Sequence, residues 1–196
     1  MKEINYNLYE TESSIIPVEA VFYPEKATLI LNINNNIPNI GLKKTEAEEL
    51  GLSNKEEFHF TVIGSNTGED ILKSLENLEE KDKIELLTKI NQLNESMNWQ
   101  VNFKNEFYHV QKEYNDPDLD YPEKIIPEKL KSIIQMAKID GLDEFYQKLN
   151  LLLGRQYETP MPHITLHTTS TREDKKLRGI GIYSENQFEE LGPKKI

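Results

Sequence analysis

Two runs of four residues, His59-Phe60-Thr61-Val62 and His163-Ile164-Thr165-Leu166, share one grammar: histidine, apolar, threonine, apolar. They stand about a hundred residues apart. This repeated alternation constrains the fold more than any other feature of the chain. A period of two is the mark of a strand with one buried face, because positions i and i+2 leave on one side and i+1 and i+3 on the other. Phe60 with Val62, and Ile164 with Leu166, are therefore expected to anchor two strands to a core. The opposite face of each strand then carries an imidazole and a hydroxyl about 7 Å apart.

Histidines in such a run can bind a metal, fill a core or supply part of an active site. On a helix, His163 and His167 would sit about 6 Å apart along the axis and could share a zinc ion. On a strand they are about 13 Å apart, too far for one ion. The run ITLHTT is rich in β-branched residues and follows Pro162, which favours the strand. With no cysteine there is also no Cys-type zinc site, no thiolate nucleophile and no disulfide framework. No metal and no cofactor are expected. A single His-x-Thr would fit a packed strand histidine, and His109, among Phe107, Tyr108 and Tyr114, is read as structural. Two matches with the same apolar anchors point instead to paired function. His167-Thr168-Thr169 is a third His-x-Thr, but it lacks those anchors. His163 is the catalytic candidate, and His167 is expected at the rim of the same face.

The rest of the chain reads as one α+β domain over 1–196, with strands and helices alternating irregularly over short connections. VEAVFYP (18–24) and ATLILNI (27–33) are expected strands, punctuated by Pro24-Glu25-Lys26. KKTEAEELGL is a short helix stopped by Gly51. Thr67-Gly68-Glu69-Asp70 has the form of a capping box, with helical spacing in Ile71, Leu72, Leu75 and Leu78, continued by Ile84, Leu87, Ile90 and Leu93. NWQVNF (98–103) and EFYHVQKEY (106–114) are expected as two strands, and 115–127, with three prolines, as a loop. SIIQMAK suits helix or strand, and its β-branched pair favours strand. LDEFYQKLNLLLG is a helix ended by Gly154. HITLHTT and GIGIYS (179–184) are late strands, and SENQFEEL is a short helix.

Charge limits the partners. Lys and Arg total 23 against 34 acids, a formal charge of −11. A protein that grips a long nucleic acid by its backbone usually shows a basic face, so none is expected as a partner here. The three arginines, Arg155, Arg172 and Arg178, all flank the second motif, with Lys175 and Lys176 in the same loop. They form either a local phosphate site, with Arg155 and Arg172 as substrate contacts, or an ordinary solvated surface. No apolar run approaches the roughly 20 residues that span a bilayer, and Met1-Lys2-Glu3 begins no signal peptide, so a cytoplasmic monomer is expected.

Two imidazoles facing one phosphodiester can carry out both proton transfers that its cleavage needs. Histidine titrates near 6.5, so one ring can be neutral while its partner is charged. Threonine hydroxyls can hydrogen-bond the phosphoryl oxygens as charge builds on them. The paired His-apolar-Thr-apolar motifs resemble those of the 2H phosphoesterase superfamily, which includes bacterial 2′-5′ RNA ligase-like proteins and cyclic nucleotide phosphodiesterases. The resemblance implies a bilobal fold, with two antiparallel sheets flanked by helices around a central cleft. It covers the chain from about Phe58 onward. It also implies that His59 and His163 are the acid–base pair and that Thr61 and Thr165 are phosphate ligands. The expected substrate is a 2′,3′-cyclic phosphate or 2′-linked phosphodiester in a small nucleotide, cyclic oligonucleotide or short RNA. Two alternatives stay open: an RNA end ligase running the reverse reaction, and a module that binds nucleotides without turnover.

Overall fold

The computed structural model describes residues 16–33, 43–117 and 124–196. Its order is β1 (Val18–Tyr23), β2 (Thr28–Ile33), α1 (Lys44–Glu49), β3 (Ser53–Asn54), β4 (His59–Ile63), α2 (Ser65–Leu75) and α3 (Glu80–Glu95). There follow β5 (Gln100–Pro117), β6 (Ile125–Asp140), α4 (Leu142–Leu153), β7 (His163–Ser170), a 3-10 turn at Glu173–Lys175, α5 (Glu185–Glu190) and β8 (Lys194–Lys195). These strands form two antiparallel sheets, one ordered β1-β2-β4 and the other β3-β7-β6-β5-β8. The class is α+β. No described helix is long and apolar enough to cross a membrane.

The two motifs fall on different sheets. β4 pairs with β2, setting His59 opposite Asn32 and Thr61 opposite Ile30. β7 pairs with β6, setting His163 opposite Met136 and Thr165 opposite Ile134. Yet β4 and β7 run within 8 Å of each other, Cα to Cα. Their apolar residues explain the approach. Phe60 and Val62 from β4, and Ile164 and Leu166 from β7, all enter one core with Leu29, Leu31, Ile71, Ile90 and Phe145. Burying these side chains removes the largest apolar surfaces of both strands from water, each by about 1.5–3 kcal/mol. α4 secures the arrangement from behind: the buried Tyr146 hydroxyl donates to the Val62 carbonyl at 2.7 Å. Gly154, in the left-handed region at φ 61°, ends that helix as expected.

A second, smaller core lies on the other face of the larger sheet. There Val110, Leu130, Ile134 and Met136 pack against Ile180, Ile182, Phe188 and Leu191. Ile180 and Ile182 belong to residues 179–184, expected above as a strand. The segment alternates as a strand would but joins no ladder, so it is a strap held by side-chain packing.

Other local readings change as well. NWQVNF and EFYHVQKEY are parts of one strand, β5, which shifts register against β6 between Phe103 and Phe107 and then resumes. The segment 115–127 is not all loop, since β5 runs to Pro117 and β6 starts at Ile125, while 118–123 lie outside the described residues. α2 begins two residues before Thr67, with Gly64 at its N-cap and no side-chain cap bond. Thr67 therefore sits inside the first turn. At α5, by contrast, the Ser184 hydroxyl accepts the Gln187 N–H, a regular cap.

Candidate active site

With their apolar neighbours in the core, the polar faces of both motifs open into one cavity of about 340 Å³. His59, Thr61, His163 and Thr165 all line it. The volume lies at the lower end of small-molecule pockets and suits a ligand of nucleotide size. The remaining wall includes Lys55, Glu57, Lys112, Tyr114, Arg178 and Tyr183.

The second histidine is held from two sides. His163 Nδ1 lies 2.8 Å from the Met161 carbonyl, and Nε2 lies 3.2 Å from the carbonyl of Ile180 on the strap. A carbonyl only accepts, so the shorter contact assigns the proton of the neutral ring to Nδ1. When the ring is charged, both nitrogens donate. A ring steadied in this way can gain or lose its Nε2 proton without turning.

Burial sets the charge preference of both rings. It is the first cause that lowers the pKa of His59, with Lys55 adding repulsion, Glu57 opposing, and His163 contributing a further push downward. Burial likewise dominates at His163, against the opposing pull of the Met161 and Ile180 carbonyls. Both therefore take up protons below the ordinary value of about 6.5. His109 shifts the same way, through burial first and then Lys131 and Lys194. In the unfolded chain all three would protonate near 6.5, so over the interval just below that value the unfolded state binds more protons. Stability is then full above the unfolded pKa and falls as pH drops through the window. A thermal melt series should show a lower Tm at pH 5 than at pH 7, with a smaller drop in His163→Gln. A drop unchanged in that variant would show that His163 is no part of the linkage.

Two glycines shape the wall. A Cβ added at Gly64 would come within 2.3 Å of Tyr183 Cε1, and one at Gly181 within 2.7 Å of the Tyr183 hydroxyl oxygen. Tyr183 thus fills a slot between the end of β4 and its own strap. Lys55 ties the strap from the other side, donating to the Leu177 carbonyl at 2.9 Å.

Three other candidates lie elsewhere. His167, Arg155 and Arg172 are not among the residues lining this cavity. The register of β7 explains the first: Thr165 faces Ile134 and His167 faces the adjacent Ile133, so Leu166 is an extra residue in the ladder. Such a bulge breaks the alternation. His167 and Thr168 are consecutively buried as a result, His167 to 1% exposure, and His167 is not at the rim. Arg172 forms a two-bond fork with Asp174, Nε to Oδ1 at 3.1 Å and Nη2 to Oδ2 at 2.8 Å. Arg155 is exposed just beyond α4. Arg178, the third of the cluster, is the arginine on the cavity wall. Lys112 and Tyr114 also escaped the sequence reading, although their i, i+2 spacing on β5 already placed them on one face.

Among the described residues no three His, Cys, Asp or Glu side chains come together as a metal site. The polar groups on the cavity wall are mostly imidazoles, hydroxyls, ammonium groups and a guanidinium, with one carboxylate, Glu57, among the described residues. They suit an anion and proton transfer. Compared with protein-family models, with curated proteins and with solved structures, the chain finds no match in any of the three.

Proposed function

We propose that the chain is a metal-independent phosphodiesterase of the 2H type, with its two sheets as the two lobes. It would act on a 2′,3′-cyclic phosphate or 2′-linked phosphodiester of a small nucleotide, cyclic oligonucleotide or short RNA. One observation carries the reading: two His-x-Thr edges, from strands of two different sheets, line the same cavity while their apolar residues share one core. A structural duplication alone does not require the polar faces to converge. In opening a cyclic phosphate, one imidazole removes a proton from water as its oxygen attacks phosphorus. The bond from phosphorus to one ribose oxygen breaks, and the other imidazole gives that oxygen its proton. Thr61 and Thr165 hydrogen-bond the non-bridging oxygens, where negative charge builds.

A panel of 2′,3′-cyclic mononucleotides, cyclic dinucleotides and 2′-5′ oligomers tests this directly. Hydrolysis of at least one class is expected, and it should persist in EDTA. Loss of turnover in EDTA with rescue by a divalent ion would replace the two-histidine scheme with a metal-assisted one. No turnover together with tight nucleotide binding would favour a binding module.

A further inference from the structure

The cavity wall carries more positive charge than one reacting phosphodiester needs. Among the described residues, Lys55, Lys112 and Arg178 face it against one acid, Glu57, in a chain whose net charge is −11. Two of these cations form a separate group. The Arg178 guanidinium lies 4.4 Å from the Tyr114 ring centre, and the Lys112 ammonium lies 4.8 Å from the same centre. Lys112 and Tyr114 come from β5 and Arg178 from the strap, whereas the His-x-Thr pairs come from β4 and β7. The cations therefore belong to a different wall from the acid–base pair.

Behind this group sits a buried carboxylate. The Glu128 side chain on β6 has 0% exposure. It accepts from Ser170 Oγ at 2.8 Å and pairs with Arg178 Nη1 at 3.3 Å and Lys175 Nζ at 3.4 Å. A charge removed from water to this degree is costly unless paired, so the geometry around it is strongly held. Thr168 holds the same residue by its backbone, donating to the Arg178 carbonyl at 2.7 Å. Arg178 is thus fixed by Glu128, by the Tyr114 face and by its own carbonyl. A guanidinium presents its N–H donors in a rigid planar fork, and that fork matches a phosphate.

We propose that Arg178 and Lys112 form a second anion subsite, which binds a phosphate of the substrate other than the one being cleaved, and that Glu128 is the positioning residue for Arg178. The substrate class then narrows to nucleotides with two phosphate groups: a 5′-phosphorylated cyclic nucleotide, a cyclic dinucleotide or a short oligomer. The identity of the reacting group rests on the phosphodiesterase reading, whereas the subsite itself does not.

Calorimetric binding of two inert probes to the full chain tests it: adenosine 3′-monophosphate and adenosine 3′,5′-bisphosphate, at fixed ionic strength. The bisphosphate is expected to bind at least about tenfold more tightly, the scale of one charge-assisted hydrogen bond. Arg178→Gln should abolish that preference, and Lys112→Gln should reduce it. Glu128→Gln should reduce the preference ratio, and Arg178→Lys should restore only part of it. A general loss of structure would weaken both probes alike, so the ratio isolates the subsite. Should Arg178→Gln or Glu128→Gln fail to fold, Lys112→Gln, which leaves the Arg178–Glu128 pair in place, still decides the matter. Equal binding of the two probes by the native chain, or binding of neither, overturns the proposal. A preserved preference with no turnover of any diester would instead sink the phosphodiesterase reading and leave the subsite standing.

Discussion

His59→Ala and His163→Ala are each expected to lower kcat by about 10²–10⁴, the usual consequence of removing a general acid or base. The loss should appear in kcat and kcat/KM together, because proton transfer is made in the transition state and contributes little to ground-state binding. The double variant should fall well short of the product of the two single losses, since the rings act as a unit. His109→Ala is the natural control. His109 lies off the cavity wall, paired with Ile133 and Lys194 across the larger sheet, and its Nε2 is buried with no hydrogen-bond partner among the described residues. Its replacement should change stability and leave kcat within a fewfold of native. Either motif histidine replaced without loss of turnover would remove the acid–base pair from the mechanism.

Phe60→Ala is expected to give the largest loss of stability, roughly 3–5 kcal/mol, as for other fully buried aromatic side chains. Phe60 has 0% exposure and its ring centre lies 5.7 Å from that of Phe103, so truncation leaves a cavity where β4 meets β5. For a chain of this size the midpoint should drop by about 2–4 °C per kcal/mol. The effect should reach the chemistry too. Phe60 stands between His59 and Thr61, and loosening its anchor loosens both. Leu151→Ala, at a side chain with 83% exposure, should shift stability by no more than about 0.5 kcal/mol. Urea denaturation of the two variants compares them directly. A Phe60→Ala loss no larger than that of Leu151→Ala would mean that the first motif is not anchored through this core.

The chain's own alternation determined the two edges. His-apolar-Thr-apolar reads as a strand with a buried side because side chains leave a strand on alternate faces, a local steric fact that needs no partner. The same locality made the helix ending at Gly154 legible, since the signal lies within one turn of the element it bounds. Thr67 misled because a capping box looks the same when the helix has already begun two residues earlier at Ser65.

Tertiary structure decided what no local pattern contains: that β4 and β7 belong to different sheets, bury their apolar sides in one core and open their polar sides into one cavity. It also decided His167, because the bulge at Leu166 depends on how β7 registers against Ile133 and Ile134 of β6, thirty-odd residues away. The same holds for the arginines. Arg155, Arg172 and Arg178 are neighbours in sequence, but only Arg178 is carried to the cavity wall, by a strap fastened through Ile180 and Ile182 and paired to Glu128 on β6. Side-chain direction is set by bonds within a few residues. Partnership between distant segments is set by which packing buries the most apolar surface while leaving each buried charge paired.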